Sequence, residues 1–297
     1  MFADSCDEGL SYFCIEAHIV ENFDVLLIKL NSYKIFLMRN IQNIHDEKLL
    51  GAIAFIFVSC SILDFLYKSK LFKPILMAII RSVLQLYLLG MAVFYVFGLE
   101  LKFIWLTIVL MISVAGLKNV SLQNIERFKL NYCSIFFSVI PMSLLTLYVI
   151  GGDSFRNPTM VLPITGLLIG NCLNGIILGI DRFEQEIKLH RELFISDLSL
   201  GLSPKYAAKK YTQLALKAAM TPIINSMSIV GIVSIPGMMT GQILAGVNPV
   251  SASKYQLLIL ISIMGTVFIG SVIGLVYSLK RLTRNNRIYI SGDLRNV

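Results

Sequence analysis

Long apolar runs constrain this chain most, because each is long enough to cross a lipid bilayer. A membrane-spanning helix needs about 20 predominantly apolar residues. Such runs recur along the chain, at 49–67, 74–99, 101–120, 130–150, 158–180, 220–246 and 255–279. Only 15% of the residues are charged, whereas a soluble domain has roughly 25%. The sequence therefore predicts an all-α, multi-pass membrane protein with about seven transmembrane helices.

The distribution of basic residues predicts how these helices are oriented. Loops that face the cytoplasm are enriched in Lys and Arg. The formal charge of +8 comes mainly from the loops after the first, third and fifth apolar runs and from the carboxyl-terminal tail. The alternate loops 98–102, 151–157 and 247–254 carry few basic residues. We therefore expect an external amino terminus and a cytoplasmic carboxyl terminus. We expect no nucleic-acid partner, because the basic residues are explained by their place in loops on one side of the lipid bilayer.

The chain divides into an amino-terminal extension (1–48), a membrane domain (49–285) and a cytoplasmic tail (286–297). The extension lacks the basic start and uninterrupted apolar core of a signal peptide. Within it, Lys29 and Lys34 interrupt the apolar stretch 25–38, which favours an interfacial helix over a span. Cys6 and Cys14 also lie here and would be the pair to form a disulfide in an oxidising compartment.

The fifth apolar run contains small residues at a spacing typical of helix packing in membranes. Small residues four positions apart let two helix backbones approach closely. The same run carries Asn171 and Asn174, whose amides either pin a neighbouring helix or line a transport pathway. The packing candidates are Gly166, Gly170, Gly175 and Gly179.

The sixth apolar run is interrupted by helix-breaking residues. Breaks in a membrane helix free backbone groups, which must then be buried in protein or face a water-filled cavity. The run is therefore either a kinked structural helix or a discontinuous helix that takes part in gating or cargo binding. The candidate break and gating residues are Pro222, Asn225, Pro236, Gly237 and Gly241. Met238, Met239 and Gln242 offer soft or polar metal ligands, although methionine in an apolar helix more often fills space.

The longest cytoplasmic loop, 181–219, has the pattern of two short amphipathic helices joined by a glycine turn. Leucines cluster around the turn more densely than a solvated connector requires. This pattern fits either a docking surface for a cytoplasmic partner or a helix lying on the membrane surface. No phosphate-binding GxxxxGK loop or HExxH motif occurs, so we expect neither enzymatic activity nor a bound cofactor.

Four segments resemble the FetB-like permease family of ABC transporters, which is implicated in iron export and has relatives among plant aluminium-tolerance membrane subunits. The resemblance covers residues 49–285. The segments are VLPITGLLIGN at 161–171, LSLGLSPKYA at 198–207, TPIINS at 221–226 and VSIPGMMTGQILAGVNPVSASKYQ at 233–256.

This resemblance implies a permease subunit that works as a homodimer in a bacterial inner or plasma membrane. A separate cytoplasmic ATP-binding cassette subunit would use the ATP and drive export of a metal ion, iron. Residues 197–208 would correspond to the loop that contacts this subunit, although Ser196 and Asp197 stand where the family leads us to expect glutamate. The implied docking residues are Asp197, Leu198, Leu200, Gly201, Ser203 and Pro204.

Three further functions remain open on the sequence alone. An ATP-independent channel or secondary carrier would be expected to carry acidic residues within its spans. Asp64, near the end of the first apolar run, is the main such candidate. A nucleotide-sugar ABC permease or an assembly subunit without cargo would also fit the pattern of apolar runs.

Overall fold

The structure is a computed structural model that describes residues 51, 54–59, 61, 72–96, 101–117, 125–152 and 154–282. The chain forms two compact units, Met1–Leu89 and Gly90–Val297. In the first unit the structure describes helical residues 54–59 and most of helix α1 (Phe72–Val96). The ring centroids of Phe57 and Phe72 lie 5.0 Å apart in this unit.

The described part of the second unit is helical. A 3-10 turn at Ser154–Arg156 leads into its central helix, where the Asn157 side chain accepts a hydrogen bond from the Thr159 amide at 3.0 Å. Pro158 follows as the first helical residue, a position where no backbone N–H is needed. The helices are α2 (Leu101–Gly116), α3 (Ile125–Ile150), α4 (Pro158–Leu189), α5 (Arg191–Ser199), α6 (Pro204–Ala207), α7 (Lys209–Ile229), α8 (Gly237–Leu244) and α9 (Pro249–Leu282).

Helix α4 lies at the centre of the second unit and packs against α2, α3, α7 and α9. The start of α9 meets the start of α4, where the Tyr255 hydroxyl lies 3.8 Å from Met160 Sδ. The ends of both helices share a second apolar cluster through Phe183 and Leu282. Helices α4 and α9 therefore run in the same direction. Helix α7 runs the opposite way, because its start joins this cluster. Helix α3 does so too, since its later residue Thr146 meets Ser262 of α9 whereas its earlier residue Ser138 lies beside Gly270.

Small and polar residues hold α3, α4 and α9 together. A Cβ atom added at Gly270 would lie only 2.5 Å from Cys172 Sγ and 3.0 Å from Ser138 Oγ, so these three helices can cross only because this residue is glycine. Hydroxyl groups link the same helices, with Thr146 Oγ1 donating to Ser262 Oγ at 2.7 Å. Such small and hydrogen-bonding residues are what drives helix association in lipid, where apolar burial contributes little.

Four helices of the described residues are long and apolar enough to cross a membrane. They are Phe72–Leu89 within α1, Phe128–Ile150 within α3, α4 and α9, with Ile104–Gly116 of α2 as a shorter apolar helix. The prediction of an all-helical membrane protein is confirmed to this extent. Most of the first predicted span, 49–67, lies outside the described residues. The predicted 25–38 helix, Asp64, Cys6 and Cys14 lie outside them entirely. The count of seven spans and the orientation of the termini stay predictions.

The sixth predicted span is two helices in the structure. Helix α7 begins at Lys209, continues through Pro222 and ends at Ile229. The chain then turns through 230–236, where Gly231 has a φ of 85° and its amide donates to the Ser234 carbonyl at 2.9 Å. Helix α8 follows and ends in a second turn at Gly246, with φ 94°. The helix break therefore lies at 230–236 and not at Pro222. Proline inside a helix removes one backbone hydrogen bond, and α7 continues past Pro222 without it.

Candidate functional sites

A cavity of about 140 Å³ lies between α4 and α7, with one residue of α9 at its edge. We call it the α4–α7 cavity. It brings together residues from two motifs that are distant in sequence, the asparagines of the fifth apolar run and three residues of the TPIINS segment. Its lining residues are Asn171, Asn174, Gly175, Leu178, Ala219, Pro222, Ile223, Ser226 and Val267.

Two glycine contacts show where the cavity lies along the length of α4. A Cβ atom at Gly175 would lie 2.5 Å from Val267 Cγ1 of α9, and one at Gly179 would lie 3.2 Å from Ala219 Cβ of α7. These close approaches place the cavity beside the middle of α4, the helix that spans Pro158–Leu189. The two asparagines of the cavity therefore lie within the predicted span 158–180.

The four predicted packing glycines have different surroundings. In addition to Gly175 and Gly179, Gly166 lies close to α2, because a Cβ atom there would be 3.0 Å from Met111 Cε. Gly170 differs, since no described atom lies within 4 Å of an added Cβ. The glycine spacing thus locates a real contact surface of α4 but does not identify which neighbour each glycine meets.

The residues predicted as soft metal ligands lie apart from the cavity. Met238, Met239 and Gln242 are on helix α8, which packs on α9, and Met238 contacts the main apolar core. Pro236 precedes this helix, and Gly237 and Gly241 lie within it with no described atom within 4 Å of an added Cβ. Over the described ranges, no group of three or more His, Cys, Asp or Glu side chains is arranged to hold a metal ion.

The second candidate site is the α5–α6 segment, Arg191–Ala207, in which the predicted pair of short helices is present. Helix α5 ends in a Schellman motif: the Gly201 amide donates to the Leu198 carbonyl at 3.1 Å, and the Leu202 amide donates to the Asp197 carbonyl at 3.1 Å. Gly201 has a φ of 90°, a left-handed conformation that glycine adopts without steric cost. Pro204 then begins α6 directly after Ser203.

One side of the α5–α6 segment is anchored to the helical bundle. Phe194 of α5 is fully buried, and its ring centroid lies 6.3 Å from that of Tyr211 of α7, in an edge-on arrangement. Phe183 of α4 and Leu275 of α9 belong to the same cluster. Helix α5 therefore packs on α7 through Phe194, and the half-buried Leu198 packs against the same apolar cluster.

A buried carboxylate lies beside this anchor. Glu186 of α4 is ion-paired with Arg182 at 2.6 Å, and its second oxygen lies 3.8 Å from His190 Nε2. The His190 ring stacks on Tyr211, with centroids 5.9 Å apart. Burial, together with the negative charges of Asp197 and Glu186, raises the pKa of Tyr211. Its phenol therefore remains neutral where it packs against Phe194 and His190.

The other side of the segment is exposed and apolar. Leu200 is 78% exposed and Leu193 is 62% exposed. Leu202 and Tyr206 are exposed as well, and Lys205, Lys209 and Lys210 lie beside them. Several exposed apolar side chains beside basic residues are typical of a surface that binds another protein.

Sequence reasoning missed several residues that build these sites. Gly265, Gly270 and Gly274 of α9 each approach α3 or α4 closely, and their spacing in the last apolar run was a signal of this. Phe194 and Glu186 left no comparable signal, because an aromatic residue and an acid in a mixed loop do not show which face will be buried.

The helical fold, with several helices long and apolar enough to cross a bilayer, defines a multi-pass membrane protein. The sequence profile of the uncharacterised protein family UPF0014 matches residues 47–283. The chain belongs to this family. Because its named relatives include FetB, the resemblance predicted from the sequence motifs is confirmed.

Three relatives illustrate the range of the similarity. The probable iron export permease protein FetB of Escherichia coli (strain K12) is 29% identical over 79% of this chain and 90% of its own length. The UPF0014 membrane protein YjkA of Bacillus subtilis (strain 168) is 32% identical, over 70% and 83%. Protein ALUMINUM SENSITIVE 3 of Arabidopsis thaliana is 26% identical, over 71% and 78%. No solved structure matches the chain.

Proposed function

We propose that this chain is the membrane subunit of an ABC transporter and that it exports a metal ion, iron, across a bacterial inner or plasma membrane. A separate ATP-binding cassette subunit in the cytoplasm hydrolyses ATP. Two copies of the chain form the membrane part. The turn at 230–236, with Asn225 and Pro222 before it and Gly237 and Gly241 after it, takes part in gating.

The observation that carries this proposal is the two-sided character of the α5–α6 segment. Phe194 belongs to an apolar cluster with residues of α4, α7 and α9, while Leu200 and Leu202 remain exposed. A segment built in this way transmits force, because a partner that moves the exposed side also moves the anchored long helices. The positive-inside pattern predicts that this end of the bundle faces the cytoplasm, where an ATP-binding subunit would be.

The relatives support the transport role. The E. coli relative is named a probable iron export permease, and it is matched over 90% of its length. Transfer of that role to this chain is part of the proposal.

The test is co-purification of the chain with its ATP-binding subunit, followed by measurement of ATP hydrolysis in lipid nanodiscs. Leu200→Asp places a charge on the exposed apolar surface and should weaken the complex at least about tenfold, since it desolvates a carboxylate at the interface. Leu200→Met keeps an apolar side chain and should retain assembly. Unchanged assembly and ATP hydrolysis in Leu200→Asp would refute the docking assignment, and cargo transport without ATP or partner would favour a channel or secondary carrier.

A further inference from the structure

One face of helix α4 has no neighbour among the described residues, although it lies in a predicted span. Its exposed residues recur three or four positions apart, at Leu167, Gly170, Asn174 and Leu178, which is the spacing of a single helix face. We call this the outer face of α4. All four residues lie within the predicted span 158–180. Two of them, Gly170 and Asn174, are not the residues that a purely lipid-covered surface requires.

Asn174 brings an unpaired amide to the outer face of α4. Its side chain is exposed and forms no hydrogen bond with the described part of the chain. An asparagine amide offers two N–H donors and an oxygen acceptor. Hydrocarbon satisfies none of them, so an unpaired amide in lipid is costly. Membrane helices reduce this cost by hydrogen bonds between side chains of different helices.

A second unpaired amide lies at nearly the same height on α7. Asn225 is exposed and is likewise without a hydrogen-bond partner among the described residues. The antiparallel helices α4 and α7 touch where a Cβ atom added at Gly179 would be 3.2 Å from Ala219 Cβ. Since a helix rises about 1.5 Å per residue, Asn174 lies about 7.5 Å and Asn225 about 9 Å from that contact, toward the same end of the bundle.

Asn225 is also on the side of α7 that adjoins the α4–α7 cavity. It follows Pro222, a lining residue of the cavity, by three positions, so the two residues are neighbours on the helix surface. Asn174 lines the cavity from α4. The two amides therefore belong to one surface, which consists of the outer face of α4 and the adjoining side of α7.

Gly170 gives this surface a place of close approach that the described residues leave unused. No described atom lies within 4 Å of a Cβ atom added at Gly170, whereas Gly175 and Gly179 are closely contacted by α9 and α7. Small residues let a second helix backbone come close in lipid. Because Gly170 is one helical turn from Asn174, close approach and hydrogen bonding are offered at the same point.

The chemistry of this surface suits a second copy of the same chain. An amide is both donor and acceptor, so it can pair with an amide of an identical chain across a two-fold axis. Gly170, Asn174 and Asn225 are uncharged, so two chains of formal charge +8 can meet there without bringing like charges together. We propose that two copies pack through the outer face of α4 and the adjoining side of α7, with Asn174 and Asn225 hydrogen-bonded between the copies.

This inference rests on the proposed function for the presence of two copies, and it adds the surface through which they associate. The test is self-association of the full chain in phosphatidylcholine vesicles, without ATP or the ATP-binding subunit. Energy transfer between donor-labelled and acceptor-labelled copies is measured as the lipid-to-protein ratio is raised. Asn174→Leu should lower the association constant about tenfold, because the two-fold axis removes the amide from both copies. Asn174→Gln keeps an amide and should associate as the wild type does.

Gly170→Phe tests the same surface by steric means. The open space at Gly170 accommodates the ring within one copy, but the ring would block another copy, so association should weaken at least about tenfold. Leu106→Phe is the control, because Leu106 is 64% exposed on α2, outside the proposed surface. It should leave association unchanged. Thermal unfolding in detergent, expected to match the wild type, verifies that each variant is folded.

The proposal is overturned if wild-type copies do not associate, or if Asn174→Leu and Gly170→Phe associate as strongly as the wild type. The second result would favour a water-filled passage over a second copy at this surface. If export remains ATP-driven in that case, the proposed function stands and only the interface fails. Association that depends on both residues, in a chain that shows no coupled ATP hydrolysis with its partner, would leave the interface standing and refute the transporter assignment.

Discussion

At the scale of single residues, the glycines of α4 show how membrane packing depends on a missing side chain. Gly175 lies against Val267 so closely that an added Cβ atom would be 2.5 Å from Cγ1. At a distance below 3 Å, either the Val267 side chain or one of the two helices must shift. Gly170, earlier on the same helix, has open space around it.

We therefore expect opposite results from two alanine substitutions in α4. Gly175→Ala should lower the free energy of unfolding by about 1 to 3 kcal/mol, as overpacking does in other cores. Gly170→Ala should change it by no more than about 1 kcal/mol, and toward greater stability, because alanine favours the helix. Thermal unfolding in detergent measures both. Equal destabilisation by the two variants would contradict the close approach of α4 and α9.

At the scale of elements, α5 is a short helix of nine residues that packing must hold in place. Isolated helices of this length are marginal in water. Phe194 is fully buried, whereas its neighbour Leu193 is 62% exposed. Phe194 is therefore the fully buried α5 side chain in the apolar cluster, with Leu198 partly buried beside it, and the adjacent Phe194 and Leu193 form a matched pair for testing its contribution.

Phe194→Ala should cost about 3 to 5 kcal/mol of the free energy that holds α5 on the bundle, the usual effect of removing a buried phenylalanine. Hydrogen exchange of the α5 amides should become faster while that of α4 stays slow. Leu193→Ala should change the exchange by less than about 0.5 kcal/mol. If both variants leave α5 protected, the aromatic anchor is not what holds it.

Gly201 is the second residue on which this element depends. Its φ of 90° is strained for any residue with a side chain. Gly201→Ala should cost about 1 kcal/mol and loosen the turn between α5 and α6. Gly201→Asn should be milder, because asparagine tolerates the left-handed conformation better. Proteolysis at the turn, compared between the two variants, checks this order.

At the scale of the whole molecule, the helix directions in the second unit are consistent with the alternation predicted from loop charge. Helices α4 and α9 start at one end of the bundle, and the α5–α6 segment lies at the other. The charge pattern predicts that the α5–α6 end is cytoplasmic.

Membrane-impermeant thiol labelling of intact cells tests that orientation in a variant whose native cysteines are replaced. Ser199→Cys, at the end of α5, should react only after the membrane is opened. Val250→Cys, at the exposed start of α9, should react from outside. The reverse pattern would show that the bundle is inverted, and reaction of both from outside would contradict the single predicted span, 220–246, between them.

The sequence alone determined that this chain is an all-helical membrane protein and where its candidate sites lie. Hydropathy and loop charge act locally, so they can be read without a structure, and the glycine turn at Gly201 follows from residue chemistry. The tertiary structure decided which of these residues meet. Asn171 and Ser226 are distant in sequence, and only the packing of Gly179 against Ala219 makes them line one cavity. Met238 and Gly170 lie elsewhere because long-range contacts, which no local pattern records, set the rotation of each helix.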